Sequence, residues 1–159
     1  MSFQNQFTKT TTDANLMETV HHGSAEYPFR YYYENIALFD FKCIDWHWHS
    51  ELEFIYIESG NVVFDIGTVH FELNEGNGIM INSKILHRLQ SSSDAIIPNF
   101  LFQPSFIAPQ DSLIYKKYIN PVISSSLEYL VFQPDIPWQK KALEIIKTII
   151  AVQETEFNR

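Results

Sequence analysis

The chain has 159 residues, a length suited to one domain with a buried core. Its 45% hydrophobic and 15% aromatic content argues against a disordered chain. With 19 acidic against 11 basic residues and a net charge of -8, the segment gains no counterion-release energy on nucleic acid, so it is not expected to grip DNA or RNA by itself. Cys43 has no second cysteine to pair with, which points to a reducing compartment, and it reads as a small buried hydrophobe. The N-terminus lacks a signal peptide's apolar centre, and no apolar run approaches the ~20 residues that cross a bilayer. A cytoplasmic, soluble protein is expected.

Residues 1–26 are polar, with a threonine-rich run from Thr8 to Thr12. They read as an N-terminal arm, mobile or loosely attached, in which His21-His22 is an incidental pair rather than a metal site. From Tyr27 the texture changes. Phe29, Tyr31 and Tyr33 alternate with Arg30, Tyr32 and Glu34, as in a strand. Residues 36–43 read as a second strand. Residues 46–58 read as one strand running into a turn at Gly60. Residues 62–66 and 69–73 form a hairpin about Gly67-Thr68. Ile79 to Ile81 is a short buried strand, and His87 to Gln90 pairs with what precedes it. Ala95 to Phe102 reads as the last barrel strand, with Pro98 suggesting an edge or a bulge. Short strands at regular spacing predict an antiparallel sandwich or barrel.

After Pro104 the pattern turns helical, with one short helix from Ser112, a break at Pro121 and a second short helix to Ser126. Leu127 to Phe132 is apolar and β-prone. Asp135 reads as an N-cap and Pro137 as a first-turn residue of a long amphipathic helix. Its apolar positions are Trp138, Ala142, Ile145, Ile146, Ile149, Ile150 and Val152. That stripe either covers the sheet or pairs with a second copy of the chain. No glycine or proline stop follows, so the sequence reads as cut inside a longer protein.

The chemistry concentrates at residues 46–58. Period-2 alternation puts His47, His49, Glu51 and Glu53 on one face, with Trp46 and Trp48 on the other. His47 and His49 lie ~6.5–7 Å apart along a strand, close enough to share one ion. Imidazole and carboxylate together suit zinc, iron, manganese or nickel. A fourth ligand must come from elsewhere, and His87, opening a later strand, is the candidate. Glu51 reads as a rim residue. The alternative for the whole set is a polar pocket lining that holds an organic ligand without metal. Tyr31, Tyr33, Phe64 and Phe102 are pocket-facing candidates, against simple core. No Ser/His/Asp or Cys/His arrangement and no phosphate-binding glycine loop is present.

His47-x-His49-x3-Glu53-x6-Gly60 resembles the first cupin motif, and Gly76 and His87 fall where the second has its glycine and histidine. Phe41 stands where the first motif opens with glycine, and Asn82, Lys84 and Ser91 replace the second motif's Pro, Gly and Asn. More narrowly, three stretches are similar to the N-terminal cupin domain of AraC-type transcriptional regulators. They are Tyr27-Pro28-Phe29, the histidine strand with the Gly76–Asn82 turn, and Pro134–Trp138 heading a long helix. The resemblance implies a mainly β, cupin-type double-stranded β-helix over 27–105, followed by helices for dimerisation and linkage over 106–159. It implies an effector-sensing, dimerising fragment with the cluster His47, His49, Glu53 and His87 in its pocket. The dimer surface would be Trp138, Ala142, Ile145, Ile146, Ile149 and Ile150. DNA would be bound only by a C-terminal helix-turn-helix domain outside these residues. The competing class is a stand-alone metal-dependent cupin enzyme, an oxygenase, isomerase or decarboxylase.

Overall fold

The computed structural model describes residues 5–157. The strands are β1 (Phe29–Tyr32), β2 (Cys43–His47), β3 (Leu52–Tyr56), β4 (Asn61–Ile66), β5 (Val69–Asn74), β6 (Gly78–Ile81), β7 (His87–Gln90), β8 (Asn99–Phe102) and β9 (Tyr129–Phe132). They form two antiparallel sheets, ordered β1-β8-β3-β6-β9 and β2-β7-β4-β5. The chain passes repeatedly from one sheet to the other, and the result is the mainly β, double-stranded β-helix with C-terminal helices that the resemblance implied. Between the sheets lies a core of Ile55, Val62, Phe64, Ile66, Ile79, Ile81 and Leu89.

The five-stranded sheet is buried on both faces. Its inner face meets that core, and its outer face carries Phe29, Tyr31, Leu52, Met80, Phe100 and Phe102 against the long helix α2 (Pro137–Phe157). Strands buried on both faces read as continuous apolar runs, and β6 and β8 are buried at every position. Helix α2 contributes Leu143, Ile146 and Ile150 to this outer layer. Gly78 permits the approach, because a Cβ there would stand 2.8 Å from Leu143 Cδ2.

Several expectations are corrected. Residues 36–43 are not a strand: two 3-10 turns, Ile36–Leu38 and Asp40–Lys42, precede β2. The Asn35 side chain accepts from Ala37 N–H, and Phe41 and Lys42 take left-handed φ values of 59° and 52°, so the backbone cannot stay extended. The 46–58 stretch is two strands: β2 ends at His47 and β3 begins at Leu52 in the other sheet. Lys84 N–H to the His49 carbonyl (2.7 Å) and Ser83 Oγ to the Ser50 carbonyl (2.6 Å) fasten the corner between them.

Pro98 sits just ahead of β8, which is an interior strand between β1 and β3. Pro98 lacks an N–H, but its carbonyl still accepts from Tyr56 N–H at 3.0 Å. The β-prone 127–132 segment supplies β9, paired with β6. Pro121 does not separate two helices. A π turn over Tyr115–Ile119 runs directly into α1 (Asn120–Ile123), and its wider spacing accommodates the proline ring. Pro137 does open α2. The carbonyl at the cap position belongs to Ile136, which accepts from Lys140 N–H at 2.8 Å, and not to Asp135.

The N-terminal segment is docked rather than loose. Glu18 N–H donates to the Trp48 carbonyl (2.9 Å), Trp48 N–H to Leu16 (3.0 Å) and Asp40 N–H to Thr8 (2.8 Å). Asp13 Oδ1 accepts from Asn15 and Met17 N–H and shapes the turn between these contacts.

Candidate functional site

The corner at 48–51 decides the site. It lets β2 deliver His47 from one sheet and β3 deliver Glu53 from the other, with His49 on the bend. His87 opens β7 directly opposite His47. These four residues bring one ligand atom each within 4.8 Å of one another, close to the ~4.2 Å span of two opposed ligands at ~2.1 Å from an ion. All four are buried, with His87 wholly so.

The orientation of the rings is set by the backbone. Nδ1 of His47 lies 2.7 Å from the Asp45 carbonyl, Nδ1 of His49 3.1 Å from the Glu51 carbonyl, and Nδ1 of His87 2.7 Å from the Ile85 carbonyl. A carbonyl only accepts, so each Nδ1 carries a proton, and each ring, when neutral, turns an Nε2 lone pair inward. Nε2 of His49 and of His87 both lie 3.1 Å from Glu53 Oε2. Three acceptors facing one another require a cation, either protons on the rings or a metal ion. The donor set therefore fits a divalent transition metal.

The charges are tightly coupled. Burial alone would raise the Glu53 carboxyl, but His49 and His87 overcome it and hold it well below the usual range. Burial pulls His47 down to about 3, with His87 and His49 adding to the effect. For His49, burial works downward while the Glu53 hydrogen bond and charge prevail and raise it.

A small cavity of about 40 Å³ adjoins the cluster, lined in part by His47, His49, Glu53, Tyr32, Glu34 and Asn99. Phe7, Lys9, Thr10, Glu18 and His22 of the N-terminal segment also line it. His22 is buried, with Nδ1 2.7 Å from the Tyr32 hydroxyl and Nε2 2.7 Å from Glu18 Oε2. Its ring sits 5.8 Å from that of His49. The reading of His21-His22 as incidental is thus corrected for His22, which latches the segment over the site.

The aromatic candidates are placed elsewhere. Tyr31 and Phe102 belong to the outer layer against α2, and the Tyr31 hydroxyl donates to Glu154 at 3.0 Å. Tyr33 is on the surface and donates to Glu58. Phe64 is inner core, stacked on Phe71 at 5.7 Å. The β1 side chain that lines the cavity is Tyr32 and those on β8 are Asn99 and Leu101, one residue out of phase with the expected set. Glu51 is buried rather than at an open rim, bonded by Gln103 Nε2 at 3.1 Å. Trp46 and Trp48 do point away from the cluster: Arg88 lies over the Trp46 ring at 5.0 Å, and Trp48 Nε1 donates to the Asn15 carbonyl. Cys43, read as buried, is half-buried.

Of the helix residues expected at a dimer surface, Ile146 and Ile150 are spent inside the chain against the sheet. Trp138 and Ile145 are exposed, while Ala142 and Ile149 are half-buried. With Phe54, Phe100, Phe102 and Phe132 the last three line an apolar groove of about 220 Å³.

A family model described as the AraC-like ligand binding domain matches residues 26–109. The chain is 32% identical over 140 residues to the uncharacterized HTH-type transcriptional regulator YdeC of Bacillus subtilis (strain 168), covering 86% of this chain and 47% of that protein. It therefore spans about half the length of this curated relative. Among solved structures, an RmlC-like cupin from Shewanella frigidimarina NCIMB 400 matches 48% of this chain and 67% of its own at 14% identity and a TM-score of 0.43. A cupin-2 domain containing protein from the same source matches 62% and 82% at 13% identity and a TM-score of 0.40.

Proposed function

The chain belongs to the AraC-like ligand binding domain family, and on that basis we propose that it is the effector-sensing and dimerising part of an AraC-type transcriptional regulator. The observation that carries this reading is the cavity that has the His/Glu cluster in one wall and residues of the N-terminal segment in another. About 40 Å³ holds roughly three water molecules at ~10–15 Å³ each. A sugar-sized effector enters only if Glu18, His22 and their neighbours give way. Effector binding and the placement of the segment are then one equilibrium, and the effector shifts it by its differential affinity for the two arrangements. The readout passes to DNA through a domain beyond these residues, which fits the acidic charge of -8 here. A second copy would meet Trp138, Ile145 and the groove beside Ala142 and Ile149. A cytoplasmic location goes with this role; no helix of the described residues is long and apolar enough to cross a membrane.

His47, His49, Glu53 and His87 would hold a divalent metal, Zn, Ni, Fe or Mn. Bound there, the metal would supply a Lewis-acidic seat for an oxygen or nitrogen of the effector. The backbone carbonyls of Asp45, Glu51 and Ile85 orient the three imidazole rings. The same preformed donor set favours the second reading, a metal-dependent cupin enzyme.

Both readings are tested by titrating the purified chain with each metal and with a broad small-molecule panel. Thermal stability, sedimentation and protease cleavage within residues 8–22 are followed. The sensor reading expects a ligand that raises the melting temperature and alters cleavage or dimerisation. It fails if no metal or ligand changes any of the three. Metal content well below one ion per chain, with no gain on adding metal, would remove the metal site and the enzyme reading together.

A further inference from the structure

The cavity has an uneven charge balance. Its walls carry three carboxyl groups, Glu18, Glu34 and Glu53, and its lining contains one lysine or arginine, Lys9. Glu53 faces two imidazoles and Glu18 faces His22. Glu34 faces no cation. It is 7% exposed, and among the described residues its side chain accepts one hydrogen bond, from Asn99 Nδ2 at 2.8 Å. The other Asn99 Nδ2 hydrogen is spent on the Ile97 carbonyl at 2.8 Å. Burial therefore pushes the Glu34 carboxyl up to about 8, with Glu53 and Glu18 adding to it and the Asn99 bond opposing it. The same lining holds the aliphatic side chains Ile44, Leu89, Ile97 and Leu101, together with Phe7, Tyr32 and Phe39.

A buried acidic group without a counter-ion, set in a cavity that also presents aliphatic side chains, suits a cationic ligand with an apolar stem. Resting on the sensor reading above, we propose that the cavity selects a small alkylamine. Its ammonium is held by the Glu34 carboxylate, and its stem lies against Leu89, Ile97 and Leu101. An anionic effector would meet three carboxyl groups and gain only Lys9, so charge selects against it. A neutral alcohol fills the space and can hydrogen-bond the protonated Glu34 carboxyl, but it forms no ion pair there. The cavity's size suits an amine of a few heavy atoms, or the amino end of a larger molecule that displaces the N-terminal cover. Binding is balanced by a proton. Below about pH 8 the Glu34 carboxyl is protonated, so R–NH3+ binds as the ion pair with release of one proton to solvent.

The test uses three probes of equal size and different charge: propylammonium chloride, 1-propanol and sodium propionate, at constant ionic strength. Binding is measured calorimetrically in two buffers of different ionisation heat, which counts the protons released. The expected result is propylammonium binding at least about tenfold tighter than either control, with close to one proton released near pH 7. Glu34→Gln keeps the shape and removes the charge. It should weaken propylammonium about tenfold or more and abolish proton release, with circular dichroism and metal content unchanged. Proton release in the unsubstituted chain decides the matter even if the variant fails to fold. Equal binding of propanol or propionate, propylammonium binding without proton release, or binding retained in Glu34→Gln would overturn the alkylamine assignment. In each of those cases the cavity still takes a ligand, so the sensor reading stands. If none of the three probes binds while the broad panel yields a ligand, the alkylamine falls alone. If both come up empty, both readings fall.

Discussion

Glu34 is the residue whose environment has the most measurable consequence. Its carboxyl is raised by burial from the ordinary 4.5 to about 8. The folded chain therefore binds more protons at Glu34 than the unfolded chain across that interval, so stability falls as pH rises through it. The contribution is fully present below about 4.5 and lost as pH passes about 8. Glu34→Gln should thus gain on the parent as pH rises from about 5 to 8.5. Urea midpoints of the two proteins at each pH measure this directly, and a difference that stays constant or reverses would refute it. The histidine cluster obeys a related logic at closer range. Three backbone carbonyls fix a proton on each Nδ1, so each ring, once neutral, holds the tautomer that a metal needs.

Helix α2 shows how one amphipathic element divides its apolar residues between two tasks. Leu143 is 4% exposed in the layer against Phe132 and Met80, whereas Ile145, two residues on, is 57% exposed. Leu143→Ala should cost ~2–4 kcal/mol in unfolding free energy, since it opens a void that the surrounding rings fill incompletely. Ile145→Ala should stay within ~0.5 kcal/mol in the isolated chain. If Ile145 belongs to the surface met by a second copy, the same substitution should weaken self-association in sedimentation while leaving the monomer's melting unchanged. A loss of monomer stability comparable to that of Leu143→Ala would show that Ile145 packs internally.

For the molecule as a whole, the N-terminal segment closes a cavity built by strands from both sheets. Its hold rests on backbone bonds at Trp48 and on the Glu18–His22–Tyr32 chain of side chains. His22→Ala would leave the half-buried Glu18 carboxylate and the buried Tyr32 hydroxyl without this partner, at ~1–3 kcal/mol for the hydroxyl and less for the carboxylate, which water can reach. The expected outcome is lower thermal stability, faster protease cleavage within 8–22 and easier entry of ligands into the cavity. Cleavage as slow as in the parent would mean that the Trp48 contacts alone hold the cover.

How much of this was legible in the chain depends on the range of the interaction involved. Period-2 alternation placed His47, His49 and Glu53 together, and spacing identified His87 as their distant partner. The Gly67 hairpin, the buried β6 and the long helix opening at Pro137 also followed from local pattern. The corner at 48–51 did not, because side chains keep alternating through a bend as they do along a straight strand. The facing of β1 and β8 did not either. Both faces of their sheet are apolar, so only pairing with β3 and packing under α2 decide that Tyr31 and Phe102 look outward while Tyr32 and Asn99 look in. The roles of His22 and Glu34 arise from contacts between residues 10 and 65 positions apart, and that of Glu18 from arm and barrel sharing one cavity. Local sequence thus determined the class of fold and the metal-type cluster. Tertiary structure alone decided what encloses that cluster, because side chains far apart in sequence acquire a common low-dielectric surround only after the sheets have closed.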